Sequence, residues 1–431
     1  MDFNSNGPEF YQEQGNEQGD LQYQAEKARL TKRFISGILV GVLCAALGIS
    51  ACLIVLIHRN SVIRNAIKEP VSELLNETTL SKIQSLESVI DTYYYKEDID
   101  KQEEANGIYK GLMDSLGDPY TVYYTESELE KLMSDTKGVY YGIGAYVSLD
   151  TTINMPRISG VIPGSPAEEM NLCIDDVIYE VDKNSTQGLS LEEVVGLIKG
   201  EAGTKVHLTL VRTGEADNVE VDVTRREIEV PTINTKVLED NIGYLQITEF
   251  DEVTTTQFIE GLAELRADNI EGLIIDLRSN PGGSLSTVCD IARQLLPKGN
   301  IVYTEDRDGN RENYTCDGKH EIDIPVVVLT NQYSASASEI LAGALKDYKK
   351  ATLVGTTTYG KGIVQRIFDL RDGTAVKMTV SSYFTPNGIN IHGVGIEPDV
   401  EIELDAEAYA KDKTDNQLDK AVEVIKDLLD K

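Results

Sequence analysis

Three serines at alternate positions, Ser334, Ser336 and Ser338, follow a short apolar run in the second half of the chain. The run Val-Val-Val-Leu at residues 326–329 predicts a strand that is buried on both faces. Apolar residues recur at helical spacing after the serines, so the serines begin a helix. Free N–H groups at a helix N-terminus favour negative charge, which suits a serine nucleophile and its oxyanion. The alternative at this point is that the serines only cap the helix.

Lys361 is the candidate base that such a serine would need. It lies in Thr-Tyr-Gly-Lys-Gly at residues 358–362, shortly after a strand predicted at 352–354. The flanking glycines let the backbone approach its neighbours closely. Burial in an apolar pocket would lower the pKa of the amine, and the neutral amine could then take the proton of a serine hydroxyl. Gln365 could orient the amine through its amide.

Histidine would be the base in the alternative arrangement, a Ser-His-Asp triad. The chain has four scattered histidines, none with an acidic partner in a recognisable motif: His58, His207, His320 and His392. The five cysteines are also scattered and show neither a disulfide framework nor metal-like spacing. The lysine base is therefore favoured, and no metal or cofactor is expected.

The composition is that of a globular protein. The chain has 431 residues, of which 41% are hydrophobic and 26% are charged, so it is long enough for two or three domains. The formal net charge is −32 and no segment is broadly basic, which argues against a nucleic-acid-binding surface. Nucleic acid is therefore not an expected partner.

An uncharged apolar segment at residues 34–57 predicts one transmembrane helix. Residues 1–33 are polar and predict a disordered tail, which the basic residues at its end place in the cytoplasm. Residues 58–78 form a juxtamembrane linker, and the rest of the chain is expected on the extracytoplasmic side of the cell membrane. The alternatives are a cleaved signal peptide and lipidation at Cys52, whose surroundings resemble a lipoprotein processing box.

Two regions of different periodicity follow the linker. Residues 79–136 show helical spacing and predict a region for packing or dimerisation. Residues 137–226 read as short strands with a helix at 191–198, and three motifs occur there in order: Tyr141-Gly-Ile-Gly144, Gly164-Ser-Pro-Ala167 and Asp175-Asp-Val-Ile178. The ordered set resembles a PDZ domain.

The first of these motifs is the candidate site for a peptide carboxylate. A glycine-rich backbone can turn several N–H groups toward one carboxylate, and the neighbouring strand edge can pair with an extended peptide. The residues predicted for this role are Tyr141, Gly142, Ile143 and Gly144.

Strands alternate with helices over residues 227–404, and an amphipathic helix is predicted at 405–431. Five further motifs in the chain keep a fixed order: Leu116-Gly-Asp-Pro-Tyr120, Asp276-Leu-Arg-Ser-Asn-Pro-Gly-Gly283, Ser334-Ala-Ser-Ala-Ser-Glu339, Gly360-Lys-Gly-Ile-Val-Gln365 and Gly395-Ile-Glu-Pro-Asp399. Together with the PDZ-like set they resemble the carboxyl-terminal processing peptidases, which are tail-specific serine proteases of the S41 type.

The resemblance implies the roles of three side chains. Ser336 would be the nucleophile, because the family places its serine 25 residues before the lysine, here Lys361. Lys361 would be the base, and Gln365 would position it. Glu339 is expected to support the start of the helix rather than the chemistry.

The oxyanion hole would be formed by backbone N–H groups. The resemblance implies the N–H of Ala337 together with that of a glycine in the turn at 281–283. Gly282 is favoured for this second donor, and Gly283 is the alternative.

The family also implies a mixed α/β multidomain fold. A crotonase-like protease core would carry the PDZ domain and form a homodimer through terminal helices, and in this chain it would follow the transmembrane helix predicted at 34–57. The PDZ domain would bind the substrate C-terminus and let the lysine engage the serine only when peptide is bound. Lys199 stands where relatives commonly have arginine, so this coupling is expected to use different contacts here.

Two functional hypotheses follow from the sequence. The first is a membrane-anchored serine endopeptidase that recognises the C-termini of proteins or peptides and cleaves with a Ser-Lys dyad. The second is a catalytically silent PDZ adaptor that captures protein C-termini at the membrane. A silent relative should have lost a catalytic residue, and Ser336, Lys361 and Gln365 are all present.

Overall fold

The computed structural model describes residues 74–96 and 98–430. The tail at 1–33, the apolar segment at 34–57 and most of the linker at 58–78 lie outside the described residues. No helix within the described ranges is long and apolar enough to cross a membrane. The chain divides into two compact units, Met1–Ile99 and Asp100–Lys431.

The described part of the first unit contains one helix, α1 (Glu77–Tyr93). Asn76 caps this helix, because its side chain accepts the N–H of Thr79 at 2.9 Å. The apolar side chains that predict the helix, among them Leu80 and Leu86, are about half exposed within the described structure.

The second unit begins with α2 (Lys101–Asp114), β1 (Val122–Tyr124) and α3 (Glu126–Lys137). Thr125 and Glu128 form a capping box at the start of α3. The helix ends at Gly138, whose φ of 69° lies in the left-handed region that glycine adopts without strain. This turn sends the chain directly into the PDZ module.

The PDZ module is inserted between two strands that pair with each other, β2 (Val139–Gly142) and β9 (Arg226–Glu229). Its own sheet has the order β3-β4-β5-β7-β8, with β6 beside β5. The elements are β3 (Ala145–Asp150), β4 (Met155–Val161), α4 (Pro166–Glu169), β5 (Val177–Val181), β6 (Asn184–Ser185), α5 (Leu191–Ile198), β7 (Lys205–Val211) and β8 (Val219–Thr224). Ile158, Val194 and Leu208 are fully buried in its core.

The motif at residues 141–144 differs from its predicted form. The sequence predicts one continuous strand over residues 142–149, but the structure breaks it after Gly142 and resumes it at Ala145. Gly144 has a φ of 82° and turns the chain between the two strands.

A six-stranded sheet with the order β10-β11-β12-β15-β16-β19 forms the centre of the remaining chain. β10 is antiparallel to β11, and the other neighbouring strands are parallel. The strands are β10 (Ile233–Val237), β11 (Ile242–Ile247), β12 (Gly272–Asp276), β15 (Val326–Thr330), β16 (Ala351–Gly355) and β19 (Val400–Glu401). Every residue of β12 and β15 is buried, as the apolar run at 326–329 predicts for β15.

Helices cover both faces of this sheet. The larger core lies under α6 (Thr254–Ala267), α7 (Leu285–Ala292) and α8 (Ala337–Asp347). The other face is covered by α10 (Asn416–Leu429), in which Ile425 is fully buried. The sequence predicts a single helix over 405–431, but α9 (Ala406–Asp412) ends at Lys413 in the left-handed conformation and α10 starts afresh.

A second sheet has the order β1-β18-β13-β14, with β17 also paired to β18. Its further strands are β13 (Gly299–Asp306), β14 (Arg311–Cys316), β17 (Ile363–Asp369) and β18 (Ala375–Phe384). β17 starts two residues after Lys361. This sheet therefore fixes the path of the segment that carries the candidate base.

Candidate active site

Ser336 lies at the sharp turn between the buried strand β15 and helix α8. Its φ of 54° and ψ of −111° are unusual for a residue with a side chain and match the first central position of a type II′ turn. The conformation is held by two hydrogen bonds: the Ser336 N–H donates to Glu339 Oε2 at 2.8 Å, and the Tyr383 hydroxyl donates to the Ser336 carbonyl at 3.1 Å. Such strain persists only where the surroundings impose it.

The two neighbouring serines have structural roles, but neither is a helix cap. The Ser334 hydroxyl donates to the Leu277 carbonyl at 2.8 Å, and the Ser338 hydroxyl donates to the Asn280 carbonyl at 3.0 Å. Both serines are fully buried. Ser336 is the partly exposed member of the set, and it lines a cavity.

The glycine turn after β12 packs directly against Ser336. A Cβ atom on Gly282 would lie 2.8 Å from Ser336 Cβ and 2.7 Å from the Ala335 carbonyl oxygen, so only glycine fits there. The Gly282 N–H donates to Asn280 Oδ1 at 2.8 Å. Within the described structure, the N–H groups of Gly283 and Ala337 donate no hydrogen bond. Both residues line the cavity beside Ser336.

Glu339 joins the serine turn to the lysine loop. Its fully buried carboxylate accepts the N–H groups of Ser336, Gly360 and Lys361 at 2.7 to 2.9 Å, and the Thr358 hydroxyl at 2.6 Å. Four donors satisfy the charge that burial would otherwise destabilise. The side chain thus positions the candidate nucleophile and the candidate base relative to each other, in addition to supporting the helix start.

The glycines that flank Lys361 allow another turn to approach. A Cβ on Gly360 would lie 2.9 Å from the Gly395 N atom, and one on Gly362 would lie 2.7 Å from the His392 N atom. The segment at 392–395 therefore packs against the backbone on both sides of the lysine. This close approach is the role that the sequence predicts for the two glycines.

Lys361 is partly buried, and its pKa lies below the usual lysine value. Burial is the main cause, and the nearby ammonium of Lys377 adds to it, whereas Asp118 and Glu339 act in the opposite direction. The Lys361 Nζ lies 4.5 Å from the centroid of the Tyr120 ring. No hydrogen bond among the described residues joins Lys361 Nζ to Ser336 Oγ or to Gln365.

Gln365 lies near the start of β17, where the pairing with β18 shifts register between Val364 and Gln365. A bulge of this kind redirects a side chain. The Gln365 Nε2 donates to Thr379 Oγ1 at 3.2 Å, and the side chain lines the same cavity as Ser336 and Lys361. The cavity has a volume of about 400 Å³.

A second cavity, of about 470 Å³, lies at the PDZ module. Gly142 and Ile143 line it, whereas Tyr141 is turned outward and its hydroxyl donates to Glu227 Oε2 at 2.7 Å. Tyr140 and Lys199 line the cavity as well, with the Lys199 Nζ 5.6 Å from the Tyr140 ring centroid. In the described part of the chain, the N–H groups of Ile143 and Gly144 donate no hydrogen bond.

The three histidines within residues 98–430 do not line the cavity at Ser336. His207 is within the PDZ sheet, where its ring nitrogens contact Asp222 and Glu220 at 2.7 Å each, and the Asp222 contact is the main reason why the pKa of His207 is raised. The sequence therefore misses its acidic partners, which come from the paired strand. His320 and His392 are exposed, and none of the three lines the cavity at Ser336.

Comparison with known proteins identifies the family. Sequence models match for peptidase family S41 at residues 241–402, for the PDZ domain at 157–212 and for the N-terminal domain of the activating protease CtpB at 49–128. A carboxyl-terminal-processing protease of Synechocystis is 36% identical over 323 residues, which cover 74% of this chain and 75% of the relative. The chain belongs to the S41 family of carboxyl-terminal processing proteases.

Further similarities agree with this S41 assignment, which confirms the resemblance found in the motifs. The carboxy-terminal processing protease CtpA of Bacillus subtilis is 37% identical over 74% of this chain and 67% of its own length. A solved structure from Bacteroides fragilis, assigned to the S41 proteases, covers 80% of this chain and 97% of its own length, with a TM-score of 0.50 and 18% identity. That structure shares the fold.

The local sequence patterns of this S41-family chain do not reveal one residue that lies beside Lys361. Tyr120 ends the Leu-Gly-Asp-Pro-Tyr motif, and its ring lies against Lys361. Asp118 in the same motif accepts the Tyr120 N–H at 3.0 Å and the Thr121 hydroxyl at 2.6 Å. The motif itself was the available signal, but its distance from Lys361 along the chain hides the contact.

Proposed function

We propose that this chain is a serine endopeptidase in which Ser336 is the nucleophile, Lys361 the general base and Gln365 the residue that positions the base. The observation that carries the proposal is the single cavity lined by all three side chains, with two unbonded N–H groups beside the serine. Burial lowers the pKa of Lys361, as a lysine base requires.

The chemistry follows from this geometry. Ser336 Oγ attacks the scissile carbonyl carbon while its proton moves to the neutral amine of Lys361. The resulting ammonium then protonates the leaving amine, and water hydrolyses the acyl-enzyme by the same route in reverse. Negative charge on the carbonyl oxygen is stabilised by preorganised N–H donors.

We assign the oxyanion donors to Ala337 and Gly283. The Gly282 N–H is already bonded to Asn280, so it would have to break that bond in order to serve. Gly283 and Ala337 have N–H groups without such partners in the described structure, and both line the cavity. Gly282 instead keeps the turn close to the serine.

Lys361 must change its rotamer before it can act. Its amine lies over the Tyr120 ring and is not hydrogen-bonded to Ser336. Gln365 is likewise engaged with Thr379. We therefore regard this arrangement as a resting state, and binding of peptide to the PDZ module as the event that releases the lysine toward the serine.

The PDZ module is proposed to bind the C-terminal carboxylate of a protein or peptide substrate. The N–H groups of Ile143, which lines the cavity, and of the adjacent Gly144 are the donors available for it, and Lys199 supplies a positive charge at that cavity. The names of the two relatives, which describe processing of carboxyl termini, support this substrate class.

Membrane anchoring is proposed from the sequence alone. The apolar segment at 34–57 would hold the protein in the cell membrane with its N-terminus in the cytoplasm and its protease region outside. A crotonase-like fold of the core and a homodimer formed through the terminal helices are also proposed. Fractionation of cells with alkaline extraction of membranes tests the anchor.

Turnover of a peptide with a free C-terminus tests the enzyme against the silent adaptor. We expect Ser336→Ala and Lys361→Ala, made in the full chain in detergent, to lower kcat/KM at least about 1000-fold. Peptide binding should persist in both variants. Ser185→Ala and Lys411→Ala, at exposed positions outside the cavity, are the matched controls. Binding without turnover in the wild-type protein would instead establish the adaptor.

A further inference from the structure

Three carboxylates line both the cavity at Ser336 and the cavity at the PDZ module. Asp135 lies in the last turn of α3, and Glu249 and Asp251 lie in the segment that follows β11. Because the two cavities share these walls, they adjoin at the three carboxylates, which we call the acidic junction. A substrate held by its C-terminus in the PDZ module passes the junction before it reaches Ser336.

The acidic junction has no cationic partner in the described part of the chain. None of its three carboxylates forms an ion pair or accepts a hydrogen bond from a described residue. The two lysines of the same cavity are engaged with aromatic rings, since Lys361 lies against Tyr120 and the Lys377 Nζ lies 5.3 Å from the Tyr124 ring centroid. The described residues also contain no cluster of ligands suited to a metal ion.

Asp251 is the most informative member of the junction. Its side chain is well buried, with the residue only 6% exposed, yet its carboxylate lacks any described partner and lines both cavities. Burial, with repulsion from Glu249 and Asp135, raises the pKa of Asp251 to about 7. Buried polar groups are nearly always satisfied, so a carboxylate of this kind is suited to a ligand that supplies donors and positive charge.

We propose that the acidic junction is a subsite for a lysine or arginine side chain of the substrate, located between the scissile bond and the C-terminus. This proposal rests on the proposed function, because it concerns the substrate of the same active site. A cation there would neutralise one of the three negative charges, weaken the repulsion among them and donate hydrogen bonds to them. An acidic substrate residue at the same place would be repelled.

Peptides of one sequence that differ at a single position provide the test. The position carries lysine, the uncharged norleucine or glutamate, and it is moved stepwise through the stretch between the cleavage site and the C-terminus. The assay uses the full chain near pH 8, where Asp251 with its pKa of about 7 is ionised. At one or two positions we expect kcat/KM for lysine to exceed that for norleucine on the order of 10-fold, with glutamate the poorest.

The lysine-to-norleucine ratio is measured within each variant, so any general loss of activity cancels. We expect Asp251→Asn and Glu249→Gln to bring the ratio toward one, and Glu249→Lys to shift the preference toward the glutamate peptide. Glu252→Gln is the matched control, because Glu252 lies in the same segment but is exposed and lines neither cavity.

Two outcomes would overturn the subsite. One is a wild-type ratio near one at every position, and the other is an unchanged ratio in both Asp251→Asn and Glu249→Gln. Suppose that the wild-type chain cleaves the peptides with a lysine-to-norleucine ratio near one, and that Ser336→Ala does not cleave them. The protease proposal then stands and the subsite is wrong. If no peptide is cleaved by the wild-type chain, the protease proposal itself has failed.

Discussion

At the scale of single residues, three serines within five positions have three different surroundings. Ser334 and Ser338 donate to buried backbone carbonyls, whereas Ser336 adopts a strained turn conformation beside the cavity. Their chemistry is the same, so the difference in role comes from which groups the fold brings to each hydroxyl. The same holds for Gly282 and Gly283, which differ in whether the N–H already has a partner.

Lys377 should tune the base through its charge. Its ammonium contributes to lowering the pKa of Lys361, so Lys377→Met raises that pKa. Because the neutral amine is the active form, we expect the rising limb of the pH profile of kcat/KM to move to higher pH and the activity near pH 7 to fall. Lys411→Met, an exposed lysine outside the cavity, should leave the profile in place. If Lys377→Met leaves the rising limb of the kcat/KM profile at the wild-type pH, Lys361 is not the titrating base.

Asp251 should make the protein less stable as the pH rises. Its pKa is about 7 in the folded protein and near 3.8 in the unfolded chain, so the folded state binds its proton more tightly. Stability from this group is therefore full below about pH 4 and is lost as the pH rises toward 7. We expect Asp251→Asn to raise the urea concentration at the midpoint of unfolding more at pH 8 than at pH 5.5. A gain of equal size at both pH values would contradict the raised pKa.

At the scale of elements, Glu339 connects helix α8 to the loop between β16 and β17. The helix and the loop are far apart in the sequence, so local contacts do not set their relative position. The buried Glu339 carboxylate joins them, because it accepts N–H groups from both. The parallel strands β15 and β16 set the spacing of the two segments, and Glu339 sets their final alignment. The final alignment of Ser336 with Lys361 thus depends on the Glu339 side chain.

Glu339→Gln should damage both stability and activity. The amide keeps one acceptor oxygen and turns an NH2 group toward the other donors, so two of the four buried donors lose their partner. We expect the free energy of unfolding in urea to fall by about 3 kcal/mol and kcat/KM to fall at least about 10-fold. Glu260→Gln, at an exposed position of α6, controls for loss of a charge. Wild-type turnover in Glu339→Gln would exclude a positioning role.

The turn between β2 and β3 depends on glycine for space as well as for backbone angle. Gly144 and Gly188 have φ values of 82° and 83°, but only Gly144 is crowded: its Cβ would lie 2.2 Å from Ser165 Cβ, and that of Gly188 would meet nothing within 4 Å. We expect Gly188→Ala to cost about 1 kcal/mol and Gly144→Ala about 2 kcal/mol more. Urea unfolding of the full chain measures the loss of stability in each variant. Equal losses would show that the structure around Gly144 shifts to make room for the added methyl group.

At the scale of the whole molecule, the PDZ cavity and the Ser336 cavity adjoin at the acidic junction. The PDZ module, inserted between the paired strands β2 and β9, is thereby placed beside Ser336 and Lys361, which lie much later in the chain. In the proposed function, substrate capture and cleavage would occur on neighbouring surfaces, so that one end of a peptide would position the bond to be cut.

Amidation of the substrate C-terminus should weaken capture. A C-terminal amide removes the charge that the N–H groups of Ile143 and Gly144 and the ammonium of Lys199 would bind. We expect KM to rise on the order of 10-fold or more relative to the free acid. Acetylation of the peptide N-terminus is the matched change that should leave KM unaltered. Equal KM values for acid and amide would remove the PDZ module from carboxylate recognition.

The sequence by itself determined the family, the order of its modules and most of the strands and helices near the site. The buried parallel strand β15 is readable because burial on both faces leaves a continuous apolar run. The motifs around Ser336, Lys361 and Gln365 are readable because glycines and small residues mark turns where the backbone must approach closely.

Only the tertiary structure decided which groups touch. Hydrogen bonds such as that from the Gly282 N–H to Asn280, and the ring contact between Tyr120 and Lys361, depend on packing between segments distant along the chain. The acidic junction has no sequence signature, because Asp135 and Asp251 come together only when α3 and the segment after β11 wall the same space. The local sequence pattern indicates which face of each segment is buried, whereas the contacts between distant side chains depend on how the whole chain packs.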